Sequence, residues 1–146
     1  MRRGTTLPEI VVVLLLIGML AGFGLPAGSL LRDHILVERE TAAVATAYQQ
    51  ARFSAMVAGD ATVLWIGPDR LGVWQRVGTD SVLVWQRIGP RPSGVTLETT
   101  VDRVVVAPSG LAMGVANGRI TLRRGTVSRG WVVSRLGRLR LDRRPP

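Results

Sequence analysis

One carboxylate, Glu9, stands at the edge of an uncharged run from Ile10 to Leu31. An ionised group beside such a run is expensive, about 2.5–3.5 kcal/mol at the centre of a membrane-spanning helix and less near the interface. Neither an anchor nor an export signal needs it, so the chemistry it offers is that of a charge awaiting a counter-charge. Gly4 precedes it by five positions, behind the basic stretch Met1-Arg2-Arg3. The second chemically able set lies at the other end. From Arg119 to Pro146 nine arginines accompany one acidic residue, Asp142. On a strand with two-residue alternation, Arg138 and Arg140 project from one face while Leu139 and Leu141 pack inward. Gly137 would let the preceding turn approach a bound backbone closely. Such a ridge can grip phosphates through bidentate, charge-assisted bonds without reading sequence. A solvated strand face, or a contact to an acidic neighbouring protein, would use the same arginines.

Catalytic sets are absent from the sequence. His34 is the single histidine and there is no cysteine, which excludes a zinc site of ordinary composition and makes a Ser-His-Asp triad implausible. His34 beside Asp33 reads as a polar interface residue. The ten acidic residues form no close cluster beyond Glu38 and Glu40, which read as a wet helix face. The expectation is a protein without enzymatic activity, metal or cofactor. All 19 basic residues are arginine and the net charge is +9. A GC-rich genome explains the arginine preference; the uneven placement of the charge is the informative part.

The elements that must position these groups follow from the pattern. The uncharged run is about 22 residues, or about 33 Å as a helix, which matches a bilayer core of about 30 Å. A cleaved signal would have a shorter apolar region and a small residue at the cleavage site; Leu25-Pro26-Ala27 is a poor one. Arg2 and Arg3 place the N-terminus on the cytoplasmic side, and everything after Leu31 outside. Pro26 should kink the helix. From Arg32 the chain turns amphipathic, with Val44, Ala47, Tyr48, Ala51, Ala55 and Ala58 on one stripe. Glu38, Glu40, Gln49, Gln50 and Arg52 face elsewhere, and Gly59-Asp60 ends the helix.

After Asp60 the sequence breaks into short β-like runs: 61–66, 71–76, 81–88, 95–98, 103–107, 119–123, 131–134 and 138–141. Gly67-Pro68-Asp69, Gly78-Thr79-Asp80 and Asn117-Gly118 read as turns, and residues 89–94 as a break between halves. Without alternating helices, an antiparallel meander or sandwich is expected. Trp65, Trp74 and Trp85 fall one per early strand and read as core or cross-strand pairs, with base stacking the lesser alternative. With no cysteine, the domain must hold by packing alone.

Basic leader, glycine, four residues, glutamate and apolar helix together resemble the class III signal of type IV pilins and type II secretion pseudopilins. The resemblance implies that a prepilin peptidase cuts between Gly4 and Thr5 and methylates the new amine of Thr5. It also implies that Glu9 pairs with the N-terminal amine of a neighbouring subunit during assembly, a pairing that offsets the cost of burying both charges. Pro26 stands where the kinking proline of type IV pilins stands. Thr5 and Pro8 depart from the family's usual phenylalanine and β-branched or leucine residues; proline is acceptable in a first helical turn.

Three later stretches narrow the resemblance to the H-type minor pseudopilins and their pilus-side relatives, the GspH/FimT family. They are Thr46–Met56; Val104-Val105-Val106-Ala107-Pro108-Ser109-Gly110; and Trp131-Val132-Val133-Ser134 followed by Gly137-Arg138-Leu139-Arg140. In the pilus-side relatives, a G-R-x-R stretch such as 137–140 is associated with DNA binding during transformation.

The implied fold is α+β and pilin-like, a long N-terminal helix packed on a C-terminal antiparallel β-sheet or sandwich domain. Its parts are a cleaved leader (1–4), a transmembrane and assembly helix (5–31), the amphipathic half of that helix (32–59) and an all-β domain (60–146). The implied function is a minor pseudopilin of the type II secretion system. It would sit in the bacterial inner membrane as a single-pass protein with its domain in the periplasm, partnered by prepilin peptidase and other pseudopilins or pilins. The alternatives are a minor type IV pilin that binds DNA through Arg138 and Arg140, and a membrane-anchored basic domain with a coincidental leader.

Overall fold

The computed structural model describes residues 6–114, 118–134 and 137–142, and for residues 20–27 the backbone alone. One helix, α1 (Leu7–Ala58), carries the N-terminal third of the chain. It begins at Thr6, an extended N-cap residue that forms a capping box with Glu9 at the third helical position. It ends where Gly59 adopts a left-handed conformation (φ 67°) and its N–H donates to the Ala55 carbonyl, the stop expected of glycine there. The helical backbone continues through Pro26; a kink driven by that ring rests on a side chain outside the described residues.

Among the described residues nine strands follow: β1 (Thr62–Ile66), β2 (Arg70–Val77), β3 (Asp80–Ile88), β4 (Thr96–Thr99), β5 (Arg103–Val106), β6 (Ala112–Met113), β7 (Gly118–Arg124), β8 (Val127–Val133) and β9 (Leu139–Asp142). They form two antiparallel sheets, ordered β3-β2-β1-β5-β6 and β4-β7-β8-β9. A single 3-10 turn, Arg91–Ser93, occupies the predicted break between halves. The hairpin between β2 and β3 turns at Gly78-Thr79 as expected, since Val77 pairs with Asp80. The hairpin between β7 and β8 turns at Gly125-Thr126, with Arg124 opposite Val127, at a turn the sequence reading does not name. The run expected at 131–134 is therefore the end of a longer strand. Asn117 lies outside the described residues.

The core sits where α1 crosses both sheets. Val37, Val44, Ala47, Tyr48, Ala51 and Ala55 are buried on the helix, against Leu64, Ile66, Leu71 and Val73 of the first sheet and Ile120, Leu122 and Val133 of the second. Alanine at successive turns lets the helix approach the sheets closely, and the β-branched strand residues fill the space between. Two corrections to the helical stripe follow. Ala58 is exposed, lying past the last turn that meets a sheet. Glu40, read as part of a wet face, is 2% exposed.

Candidate assembly and binding surfaces

Burial of Glu40 is tolerated because its carboxylate is fully engaged. Oε1 accepts hydrogen bonds from the Arg39 guanidinium at 2.9 Å and from the Ser93 hydroxyl at 2.9 Å, and Oε2 lies 3.3 Å from Arg87 Nη2. This joins α1 to β3 and to the 3-10 turn. Two further ion pairs repeat the device towards the second sheet. Arg124 Nε donates to Asp33 at 2.6 Å, and its Nη1 donates to the Ser93 carbonyl. Arg129 Nε donates to Glu38 at 2.7 Å, and His34 lies 3.9 Å from the same carboxylate. Higher on the helix, Trp131 Nε1 donates to the Thr41 carbonyl, Tyr48 Oη to the Gly137 carbonyl and Arg52 Nε to the Gly110 carbonyl. Burial pushes the Tyr48 phenol above its ordinary value, with Arg52 pulling the other way.

Part of the C-terminal arginine set is thus committed to holding the helix. Arg124 and Arg129 serve the domain's own carboxylates, and Arg119 lies 3.9 Å from Asp142. Arg138 and Arg140 are exposed and make no ion pair among the described residues. Leu139 packs against the core as expected, whereas Leu141 is 36% exposed because β9 is the edge of its sheet. Gly137 does support a close approach, but an internal one. At φ 70° it abuts Ala112 and Tyr48, and an added Cβ would lie 2.4 Å from the Ala112 nitrogen. An open groove of about 750 Å³ runs beside it, lined by Tyr48, Gln49, Arg52, Leu111, Arg138 and Leu139.

At the other end, Gly4 and Thr5 lie outside the described residues. Glu9 is exposed, and its carboxylate accepts a bond from the Thr6 backbone N–H at 3.4 Å. The sequence carries this signal as Thr6-x-x-Glu9 ahead of an apolar run, a local use of the carboxylate that the resemblance alone does not reveal. Beyond it the helix presents bare apolar side chains: Ile10, Val11, Val12, Leu14, Leu15 and Ile17 are each at least 50% exposed. Among the described residues, no helical window is long and apolar enough to cross a membrane. No group of three or more His, Asp or Glu that could hold a metal occurs among them either.

A long helix whose C-terminal half is sunk into two antiparallel sheets defines the pilin-like α+β fold. Solved structures of two proteins share it. The type IV minor pilin FimU of Pseudomonas aeruginosa superposes with a TM-score of 0.58 at 16% identity, over 75% of this chain and 87% of that one. The minor pseudopilin EpsH from the type 2 secretion system of Vibrio cholerae superposes with a TM-score of 0.59 at 13% identity, over 73% and 96%. No protein-family model and no curated protein sequence matches the chain.

Proposed function

We propose that this chain is a minor pseudopilin, a non-enzymatic subunit that joins other pseudopilins in a periplasmic filament of a type II secretion system. One observation carries the reading: α1 is continuous from the capped Glu9 turn to the core, and its first half exposes apolar side chains that the domain itself does not cover. Such a surface requires lipid or neighbouring helices. A bilayer around residues 10–31, with the domain outside, satisfies it before assembly; helices of other subunits satisfy it afterwards. On this reading prepilin peptidase cuts between Gly4 and Thr5 and methylates Thr5, and Glu9 exchanges its weak capping contact for a neighbour's amine.

The likeness to EpsH supports the secretion assignment, and the likeness to FimU supports a pilus one. The second reading, a minor pilin that captures DNA, is favoured specifically by exposed Arg138 and Arg140. Disruption of the chromosomal gene separates them. Loss of exported proteins from the culture fluid with normal DNA uptake supports the pseudopilin; the reverse result assigns the pilus.

A further inference from the structure

We infer a second binding surface, independent of the C-terminal arginines: the outer face of the five-stranded sheet is a stacking platform for single-stranded nucleic acid. Register defines that face. Thr62, Leu64 and Ile66 of β1 point into the core, so Val63 and Trp65 point away from it. Their partners Trp74 and Gly72 on β2 share the outer side, as do Arg103 and Val105 on β5. Arg70 and Arg76 extend the row along β2 by the same alternation.

Three observations make this face more than an exposed patch. Trp65 is 46% exposed, although it stands mid-strand, where a core tryptophan would be covered. Its partner across the ladder is Gly72, and a Cβ there would meet the Trp74 indole at 3.3 Å and Leu83 at 3.5 Å. The absent side chain thus gives the Trp74 indole room to fold over the strand backbone beside Trp65. The charges are of one sign: among the described residues, the ionisable side chains that the strands place on this face are Arg70, Arg76 and Arg103. Two carboxylates at its rim are matched, Asp69 by Arg91 at 2.9 Å and Asp102 by Arg103 at 3.8 Å, and Asp80 at the β2–β3 turn lies opposite Val77, on the other face of the sheet. Arg70 and Arg76 make no ion pair among the described residues.

Two indoles and a row of guanidinium groups on a sheet match the needs of unpaired bases joined by phosphates. The π-faces accept any base, and the arginines neutralise the backbone. A duplex buries its base faces and could use only the cations. A neighbouring protein would need carboxylates to meet the arginines and would gain no preference for unpaired bases. The packed helix does not obstruct the surface, because α1 lies on the opposite side of the sheet.

The test is titration of the full-length chain in detergent micelles, following tryptophan fluorescence. The probes are an oligothymidylate of about sixteen nucleotides, a duplex of equal length, and polyphosphate. Quenching is expected with the oligothymidylate, together with tighter binding than to duplex or polyphosphate. Trp65→Ala should weaken the single strand about tenfold and leave the duplex unchanged. Arg70→Gln with Arg76→Gln should lower the log–log salt slope for the single strand by about 1.4. Both variants alter exposed positions, and thermal melting would verify that each is folded. The inference is overturned if duplex or polyphosphate binds as tightly as the single strand. It is equally overturned if single-strand binding disappears with Arg138→Gln and Arg140→Gln but ignores Trp65→Ala.

Discussion

Among the described residues the Glu9 carboxylate has one local contact, the Thr6 N–H, and its place in the first turn makes its two roles separable. As a capping group it stabilises the helix terminus, which is worth about 1 kcal/mol at most in an exposed setting. As a counter-charge it would matter only between subunits. Glu9→Gln keeps an acceptor for the Thr6 N–H but removes the charge, whereas Glu9→Ala removes both. Both variants should insert into the membrane as well as the native chain, and both should fail to enter filaments, as read by cross-linking in the native envelope. If Glu9→Gln assembles normally, the carboxylate acts only as a cap. Processing is tested separately: mass spectrometry should find a methylated Thr5 N-terminus, and an intact Met1 would contradict the leader reading.

Tyr48 offers a prediction with a definite pH sign. It is the single tyrosine of the chain, and its raised folded-state value means that the folded protein holds the phenolic proton after the unfolded chain has lost it. Its contribution is therefore complete below about pH 10 and declines as pH rises further. Denaturant midpoints should be flat through neutrality and fall on the alkaline side. Tyr48→Phe should flatten that limb and cost about 1–2 kcal/mol at neutral pH, since the Gly137 carbonyl loses its donor.

At the scale of elements, Gly137→Ala combines a left-handed backbone with a collision against the Ala112 backbone. It should destabilise the domain by about 2 kcal/mol or more, read as a lowered Tm. Gly59→Ala is the contrast: the same conformation, open space around the added Cβ, and a cost of about 1 kcal/mol. These elements were unequally legible. The helix, its stop at Gly59 and the first three strands follow from periodicity and turn residues alone. Glu40 reads as solvent-facing because charge argues for solvent, while its burial depends on Arg87 and Ser93, 47 and 53 positions away in sequence. The Gly125-Thr126 turn does not show in the sequence because arginines flank it, and a charged, edge-rich sheet shows little alternation. Trp65 reads as core or as a cross-strand partner, with base stacking the lesser alternative, because local sequence cannot say which face of a sheet is covered. Arg138 and Arg140, the two residues of the arginine ridge, make no ion pair among the described residues, whereas Arg124 and Arg129, elsewhere in the basic segment, are engaged by Asp33 and Glu38.

For the whole molecule, the division of labour among arginines predicts how duplex DNA would behave. If Arg138 and Arg140 act as a phosphate ridge, their joint replacement by glutamine should lower the salt slope for duplex by about 2 and weaken all sequences alike. Arg124→Gln should instead reduce stability by about 1–3 kcal/mol, because Asp33 and the Ser93 carbonyl lose a donor. A duplex affinity untouched by the double change would rule out Arg138 and Arg140 as a phosphate ridge and leave them as a protein contact surface.

The ion pairs at Asp33, Glu38 and Glu40 and the hydrogen bonds at Thr41, Tyr48 and Arg52 fasten one rod to its load at six successive levels. Such a mounting has no joint, so the domain must go wherever the rod points. From Val37, the first fully buried position among the described residues, back to Leu7 the helix reaches about 45 Å, and a tilt of about 5° swings its far end by about 4 Å. The arrangement is a lever. Small changes in how the apolar end is seated among lipids or other helices would reorient both sheets together, arginine edge and tryptophan face included, without disturbing a single contact inside the domain.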